Sequence, residues 1–329
     1  MSERLPSEEI VAEAEKSEAE QLRSELEEAV YAQLDVLNKQ EPWGVVRYLE
    51  GFDVPQAWRL RDEMKQRAPW DVASSLKGLD SEQTWQMRDE LKEQAPMQVA
   101  ISLKGLDSER AWQMRDELKE QAPMQVAISL AGLDSEQAWQ MRDELKEQAP
   151  DVVAGSLRGL NNERAWQLRD ELKKKASSDV AISLAGLDSE RAWQMRDELK
   201  EYSNNAVVAV VQSIDGLDSE RAWQLRDETM KKSSYLIPLT LRGLDSERAW
   251  QFRSELMQLE EWKRRSVARS LDGLDSEQAW QMRDKLKEQA PNAVALSLSG
   301  LNSLKAIKMK RELLPKVSKD AEVVASLVR

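Results

Sequence analysis

A glycine returns at almost constant intervals along most of this chain, and that regularity constrains the fold more than any other feature. It stands at Gly51, Gly78, Gly105, Gly132, Gly159, Gly186, Gly216, Gly243, Gly273 and Gly300. The interval is 27 residues, lengthening to 30 after Gly186 and after Gly243. One unit, Gly105 to Ala131, reads GLDSERAWQMRDELKEQAPMQVAISLA, and the unit before it differs at three positions. A degenerate unit starts at Ser24, with Pro42, Val45 and Leu49 in register with Pro69, Val72 and Leu76 and with Tyr31 in a slot that elsewhere holds tryptophan. Eleven units therefore begin at 24, 51, 78, 105, 132, 159, 186, 216, 243, 273 and 300. Length alone would suggest two or three domains. Self-similarity at such a period is instead the signature of stacked repeats, so residues 24–329 are expected to form a single array.

Each unit encodes two helices. Asp107-Ser108 supplies side-chain oxygens for free N–H groups, and Glu109 favours the positive helix end. Leu106, before the cap, is placed to act as a staple. Ala111, Met114 and Leu118 fall at i, i+3 and i+7, an apolar stripe. The first helix should end near Gln121-Ala122, and Pro123 opens a second, shorter one. Val126, Ala127 and Leu130 form its apolar side, and Gly132 stops it in the left-handed conformation. A helix of roughly nine residues is below the ~12–15 at which isolated helices become marginal. It must pack on its partner and on the neighbouring units, which is the physical reason for repetition.

The expectation is an all-α fold: an elongated α-solenoid of about eleven helix-turn-helix repeats. At ~8–10 Å between packed helices it would span on the order of 100 Å. A closed ring or a globular bundle is the alternative. The architecture resembles the α-solenoid class that includes HEAT, armadillo and TPR arrays. The resemblance covers residues 24–329 as helical-hairpin repetition only, because the unit is shorter and the TPR pattern is absent. What it implies is a binding scaffold, by analogy of fold.

Tryptophan follows the glycine by seven residues at Trp58, Trp85, Trp112, Trp139, Trp166, Trp193, Trp223, Trp250 and Trp280. Arginine follows three residues later at Arg61, Arg88, Arg115, Arg142, Arg169, Arg196, Arg226, Arg253 and Arg283. Residues three apart on a helix are neighbours, so each guanidinium can lie on its own indole. Repetition in every unit suits a structural ladder better than discrimination of a partner. The expected anchor for each arginine is a carboxylate on an adjacent helix.

Positions that vary among units are better candidates for contact. The nineteenth residue after the glycine reads Trp43, Trp70, Met97 and Met124 in the early units, and Tyr235 and Trp262 later. These side chains are candidate partner anchors at one edge of the array. Trp262 with Lys263, Arg264 and Arg265 forms the best local basic-aromatic cluster. Residues 201–270, with two lengthened units and Pro238 in a second helix, form the irregular zone.

Composition narrows the functions. The net charge is −12, which disfavours extensive contact with nucleic-acid phosphate. The chain has no cysteine and no histidine, so disulfides and mechanisms built on those residues are excluded. No phosphate-binding loop or calcium loop appears, and no cofactor or metal site is implied. Carboxylate pairs such as Asp116-Glu117 recur in nearly every unit, whereas catalysis needs one special site; the chain is read as not an enzyme. The acidic N-terminus lacks the apolar run of a signal peptide, and no stretch approaches the ~20 residues of a membrane span, so a cytoplasmic protein is expected.

The reading is a non-catalytic scaffold for a protein or peptide. A nucleic-acid-binding array, or an engineered or consensus-derived array without a native ligand, are the alternatives. Residues 1–23 are expected to form an acidic capping helix over the first hairpin. The last unit, with Ile307 in the tryptophan slot, has no polar cap after it, so either end-to-end pairing with another copy or a longer chain is expected.

Overall fold

The structure is a computed structural model that describes residues 8–40, 45–258, 261–317 and 319–328. All regular structure among the described residues is helical, in the two-helix period expected from the sequence. The chain is an all-α tandem array of helical hairpins.

The hairpin from Gly132 shows how the sequence builds the unit. Its first helix, Glu136–Leu145, buries Ala138, Met141 and Leu145 on one stripe. The helix ends in a short turn in which the Ala149 amide donates to the Leu145 carbonyl (2.9 Å). Pro150 then starts the second helix, Pro150–Gly155, where a missing N–H costs nothing. Gly159 ends the unit at φ +84°, and all ten repeat glycines lie between +70° and +84°. A Cβ at Gly159 would meet nothing within 4 Å, so glycine is required there by backbone conformation and not by crowding. Several N-caps are made by the second residue of the Asp-Ser pair: Ser81 and Ser189 accept from the backbone three residues on (both 3.3 Å). The aspartate has another task, described below.

The chain divides into two compact units, residues 46–241 and residues 1–45 with 242–329. Within 46–241, the short second helices pack neighbour on neighbour, from Pro69–Ser75 through Asn204–Gln212. Val99, Val126, Val153 and Val180 are fully buried along this stack. The irregular stretch lies at the end of this unit. Asn204–Gln212 is a nine-residue second helix, longer than its six- and seven-residue counterparts. The next first helix, Glu220–Ser233, runs 14 residues, and a 3-10 helix, Ser234–Thr240, carries the chain through Pro238. The proline is thus accommodated by tighter winding in place of an α-helical second helix.

In the other unit, the N-terminal helix is a single element, Glu8–Gln40, that runs through the boundary expected at 23/24. Leu26, Val30 and Leu34 are buried on it. It packs on the last repeat, against Leu304–Val317 and Ala321–Ser326. Two ion pairs flank the contact, Glu18 with Lys308 (2.8 Å) and Glu25 with Arg311 (3.1 Å). This corrects the expectation for the C-terminal repeat. Its apolar surface, including Val323, Val324 and Leu327, is buried, and the supposedly bare end left for end-to-end pairing is covered by the N-terminal helix. The sequence hid this because the helix's apolar residues follow no tryptophan period.

No helix among the described residues is long and apolar enough to cross a membrane.

Candidate functional site

The Trp–Arg pair is the most repeated device in the molecule. All nine arginines, Arg61 to Arg283, have no solvent exposure, and each guanidinium carbon lies 4.4–4.8 Å from the centroid of its own indole. Their anchors are not the carboxylates expected from the sequence. Arg142 donates from Nε to Ser156 Oγ (3.0 Å) and from Nη2 to the carbonyls of Leu130 (2.8 Å), Leu133 (2.9 Å) and Ser156 (3.4 Å). Leu130 and Ser156 cap the C-terminal ends of two successive second helices. Carbonyls at such ends lack intrahelical partners and carry the negative end of the helix dipole. One buried cation therefore satisfies two neighbouring helix ends, which a carboxylate elsewhere would not do. Burial pulls the Arg142 guanidinium down to about 10, so it stays charged near neutrality.

Ser156 completes the clamp by donating its own Oγ–H to the Val153 carbonyl (2.8 Å). The hydroxyl recurs as Ser75, Ser102, Ser129, Ser183, Ser213, Thr240, Ser270 and Ser297, each accepting from the arginine Nε. Sequence reading passed over this position although a hydroxyl in every unit was its signal. The aspartate before the N-cap holds the indole: Trp139 Nε1–H donates to Asp134 Oδ1 (2.8 Å), and Asn162 of the next repeat donates to the same oxygen (2.7 Å). Trp58, Trp85, Trp112, Trp139, Trp166, Trp193, Trp223 and Trp280 are buried, and Trp250 is half-buried.

The variable position gives a different surface. Trp70, Met97 and Met124, at the same place in three successive second helices, are 57%, 41% and 44% exposed. Trp70 is oriented by donating its Nε1–H to the Gln94 carbonyl of the next repeat (3.0 Å), which leaves more than half of the side chain open. Trp43 lies outside the described residues, as do the side chains of Tyr235, Trp262 and Lys263. Arg264 donates to Gln289 Oε1 (2.7 Å), and Arg265 is exposed. Arg265 lines a cavity of about 560 Å³ with Arg269, Asp320 and Glu322, a mixed-charge rim and not a purely basic one. The irregular stretch adds a smaller groove of about 190 Å³ between Val207, Val211, Leu225 and Leu236.

The outer surface of the first helices is charged and stepped. Lys92 bridges to Glu117 (2.6 Å), Lys119 to Glu144 (3.0 Å) and Lys146 to Glu171 (2.9 Å), each pair joining one repeat to the next. The described residues contain no group of histidine, cysteine or carboxylate side chains placed to hold a metal ion. The chain matches no protein-family model, no curated protein and no solved structure.

Proposed function

We propose that this protein is a non-catalytic scaffold that binds a protein or peptide along the edge formed by the first turns of its second helices. The observation that carries this reading is the exposed row of Trp70, Met97 and Met124. Large apolar side chains left in solvent cost hydration free energy, and three in register make a contiguous strip of the kind that marks contact surfaces. Packed helices sit ~8–10 Å apart, close to three residues of an extended peptide at ~3.3 Å each. A peptide with an apolar residue at every third position would therefore meet all three anchors. Methionine adapts to varied partners, and tryptophan supplies a large rigid contact.

The fate of the arginines weighs against the nucleic-acid alternative. Nine cations are withdrawn into the interior, so the solvent-facing charge is more negative than the net −12 of the whole chain. The carboxylates are spread evenly over repeated surfaces, which supports a non-catalytic reading. The test is a pull-down with the whole chain, with and without nuclease, comparing wild type with Trp70→Ala/Met97→Ala/Met124→Ala. A protein partner that resists nuclease and is lost in the triple variant, with helicity unchanged, supports the scaffold. Recovery of the same partner by the variant removes this edge as the contact site, and a partner lost to nuclease points to nucleic acid.

A further inference from the structure

The grooves between successive first helices are built to one plan and differ in one residue. In the groove over Trp85, Arg110 of the next repeat lies 5.2 Å from the indole centroid and pairs with Glu82 (2.9 Å) and Asp89 (3.4 Å). Over Trp166, Arg191 lies at 4.9 Å and pairs with Glu163 (2.8 Å) and Asp170 (3.9 Å). Over Trp193, Arg221 lies at 5.3 Å and pairs with Glu190 (2.7 Å) and Asp197 (4.0 Å). Three times, then, the same indole face and the same two carboxylates hold a guanidinium. The second cation of each sandwich comes from outside the repeat that owns the tryptophan.

The groove over Trp112 keeps the receptor and lacks the guest. Glu109 and Asp116 stand where Glu82 and Asp89 do, but the arginine position is Gln137. Trp112 is 8% exposed, against 4% for Trp85 and Trp166 and 5% for Trp193. An open cavity of about 240 Å³ is lined there by Glu109, Trp112, Asp116, Gln137, Gln140 and Glu144. Three other repeats also carry glutamine at this position, Gln56, Gln83 and Gln278, but none follows a complete receptor: the unit before Gln56 has Tyr31 in the tryptophan slot, Pro55 replaces the glutamate beside Trp58, and Ser254 replaces the aspartate beside Trp250. Over Trp280 the arginine is replaced by Lys305, which still lies 5.3 Å from the indole centroid and pairs with Glu277 (3.1 Å). Among the tryptophan grooves, Trp112 alone joins a complete carboxylate pair to an uncharged residue at the arginine position.

We propose that this groove binds an arginine side chain of a basic partner protein, which takes the place that Arg110, Arg191 and Arg221 fill internally elsewhere. The site lies on the first helices and is independent of the Trp70 row. Its chemistry selects arginine over lysine. In the sister grooves two different guanidinium nitrogens reach two carboxylates at once, as Arg110 does with Nη1 and Nη2, whereas an ammonium is a single point charge. A polypeptide fits better than a small guanidine because the adjoining groove is open too. There Arg164 is drawn aside onto both oxygens of Glu136 (2.7 and 3.3 Å), beside a cavity of about 650 Å³ that shares Gln140 and Glu144 with the first. Two acidic grooves thus flank the helix Glu136–Leu145, within a surface whose negative charge attracts a basic chain.

The test uses the whole chain with 15N-labelled indoles, the Trp112 resonance being assigned through Trp112→Phe. Blocked Gly-Arg-Gly, blocked Gly-Lys-Gly and ethylguanidinium are titrated in turn. The arginine peptide should shift the Trp112 indole with millimolar affinity, and the lysine peptide more weakly. Glu109→Gln should weaken the arginine peptide about tenfold. Gln137→Arg should abolish the response and raise the melting temperature, because it rebuilds the arrangement of the sister repeats. No response at Trp112, or a response that survives Gln137→Arg, overturns the proposal. Ethylguanidinium binding more tightly than the arginine peptide overturns the assignment to a protein partner.

Discussion

The buried cation slot is filled by arginine in nine repeats and by Lys310 in the last, and the two cases behave differently. Arg142 reaches four acceptors and ties two helix ends together. Lys310 is 2% exposed, yet no hydrogen bond to it is seen among the described residues. Burial, with a smaller contribution from nearby Arg23, lowers its ammonium to about 8. Burying a charge is unfavourable unless the surroundings return hydrogen bonds in its own geometry. Nε and Nη2 of the planar Arg142 fork meet a hydroxyl and carbonyls that lie in several directions, which an ammonium on a flexible stem does not, although Nη1 is buried without a hydrogen-bond partner among the described residues. The interior repeats therefore tolerate a buried charge because the slot is shaped for arginine, while the last repeat carries the same charge largely uncompensated.

The largest effect should come from breaking the better of the two slots. Arg142→Ala leaves three carbonyls and a hydroxyl without their donor and opens a cavity beside Trp139, so a loss of about 4 kcal/mol is expected in urea denaturation. A loss below about 1 kcal/mol would mean that water replaces the guanidinium and that the clamp is not what holds the helix ends. Trp139→Ala should cost about 3–5 kcal/mol, since the indole is buried between repeats. If Arg142→Ala has been made first, the further loss from Trp139→Ala should be smaller, because the two side chains form one stack.

Lys310 sharpens the comparison from the other side. Its folded-state value is depressed below the ordinary 10.5, so between about pH 8 and 10.5 the unfolded chain binds more protons than the folded one. Stability should rise with pH across that window, as the penalty for the buried charge is lifted, by on the order of 2 kcal/mol. Lys310→Met should gain a similar amount at pH 7 and lose the pH dependence. A melting temperature that falls from pH 8 to 10, with Lys310→Met destabilised, would show the lysine to be well compensated. The smallest effect is expected outside the slots. Lys119→Ala removes ion pairs to Asp116 and Glu144, but the pairs are solvent-accessible, and about 0.5 kcal/mol or less is expected.

Much of the fold was legible because proline and glycine act locally. Pro150 and Gly159 bound a helix whose backbone needs are met by those residues alone. The indoles at Trp85 or Trp139 were legible as half of a stacked pair, since helical spacing brings the arginine beneath them. What holds the arginine was not legible, because its acceptors are mostly backbone carbonyls, which no side-chain pattern records. The aspartate of the Asp-Ser pair, read as a cap at Asp107, was misjudged for a related reason. An aspartate before a serine reads as a cap, yet the serine position alone makes that bond in repeats such as Ser81, and the aspartate is spent on the indole five residues later. The alternation of Arg110 with Gln137 stood in the sequence, but its meaning depends on which tryptophan of another repeat lies beneath it. The cover over the last repeat was hidden because it joins segments some 280 residues apart.

The clamps also decide how the folded chain meets a protease. Trypsin must draw an extended backbone segment into its cleft with the arginine side chain in its specificity pocket. At nine of its arginine targets that side chain is bound inside, with its carbonyl held in a helix. Cleavage after Arg115 or Arg142 in the native protein therefore requires the helix to unwind and the buried side chain to leave its slot, whereas at an exposed residue such as Arg265, in the helix Glu261–Arg269, only the helix has to unwind. When closing is fast compared with cutting, the rate at each site follows the population of the open form, so one digest resolved by fragment would report the local opening equilibrium of every repeat.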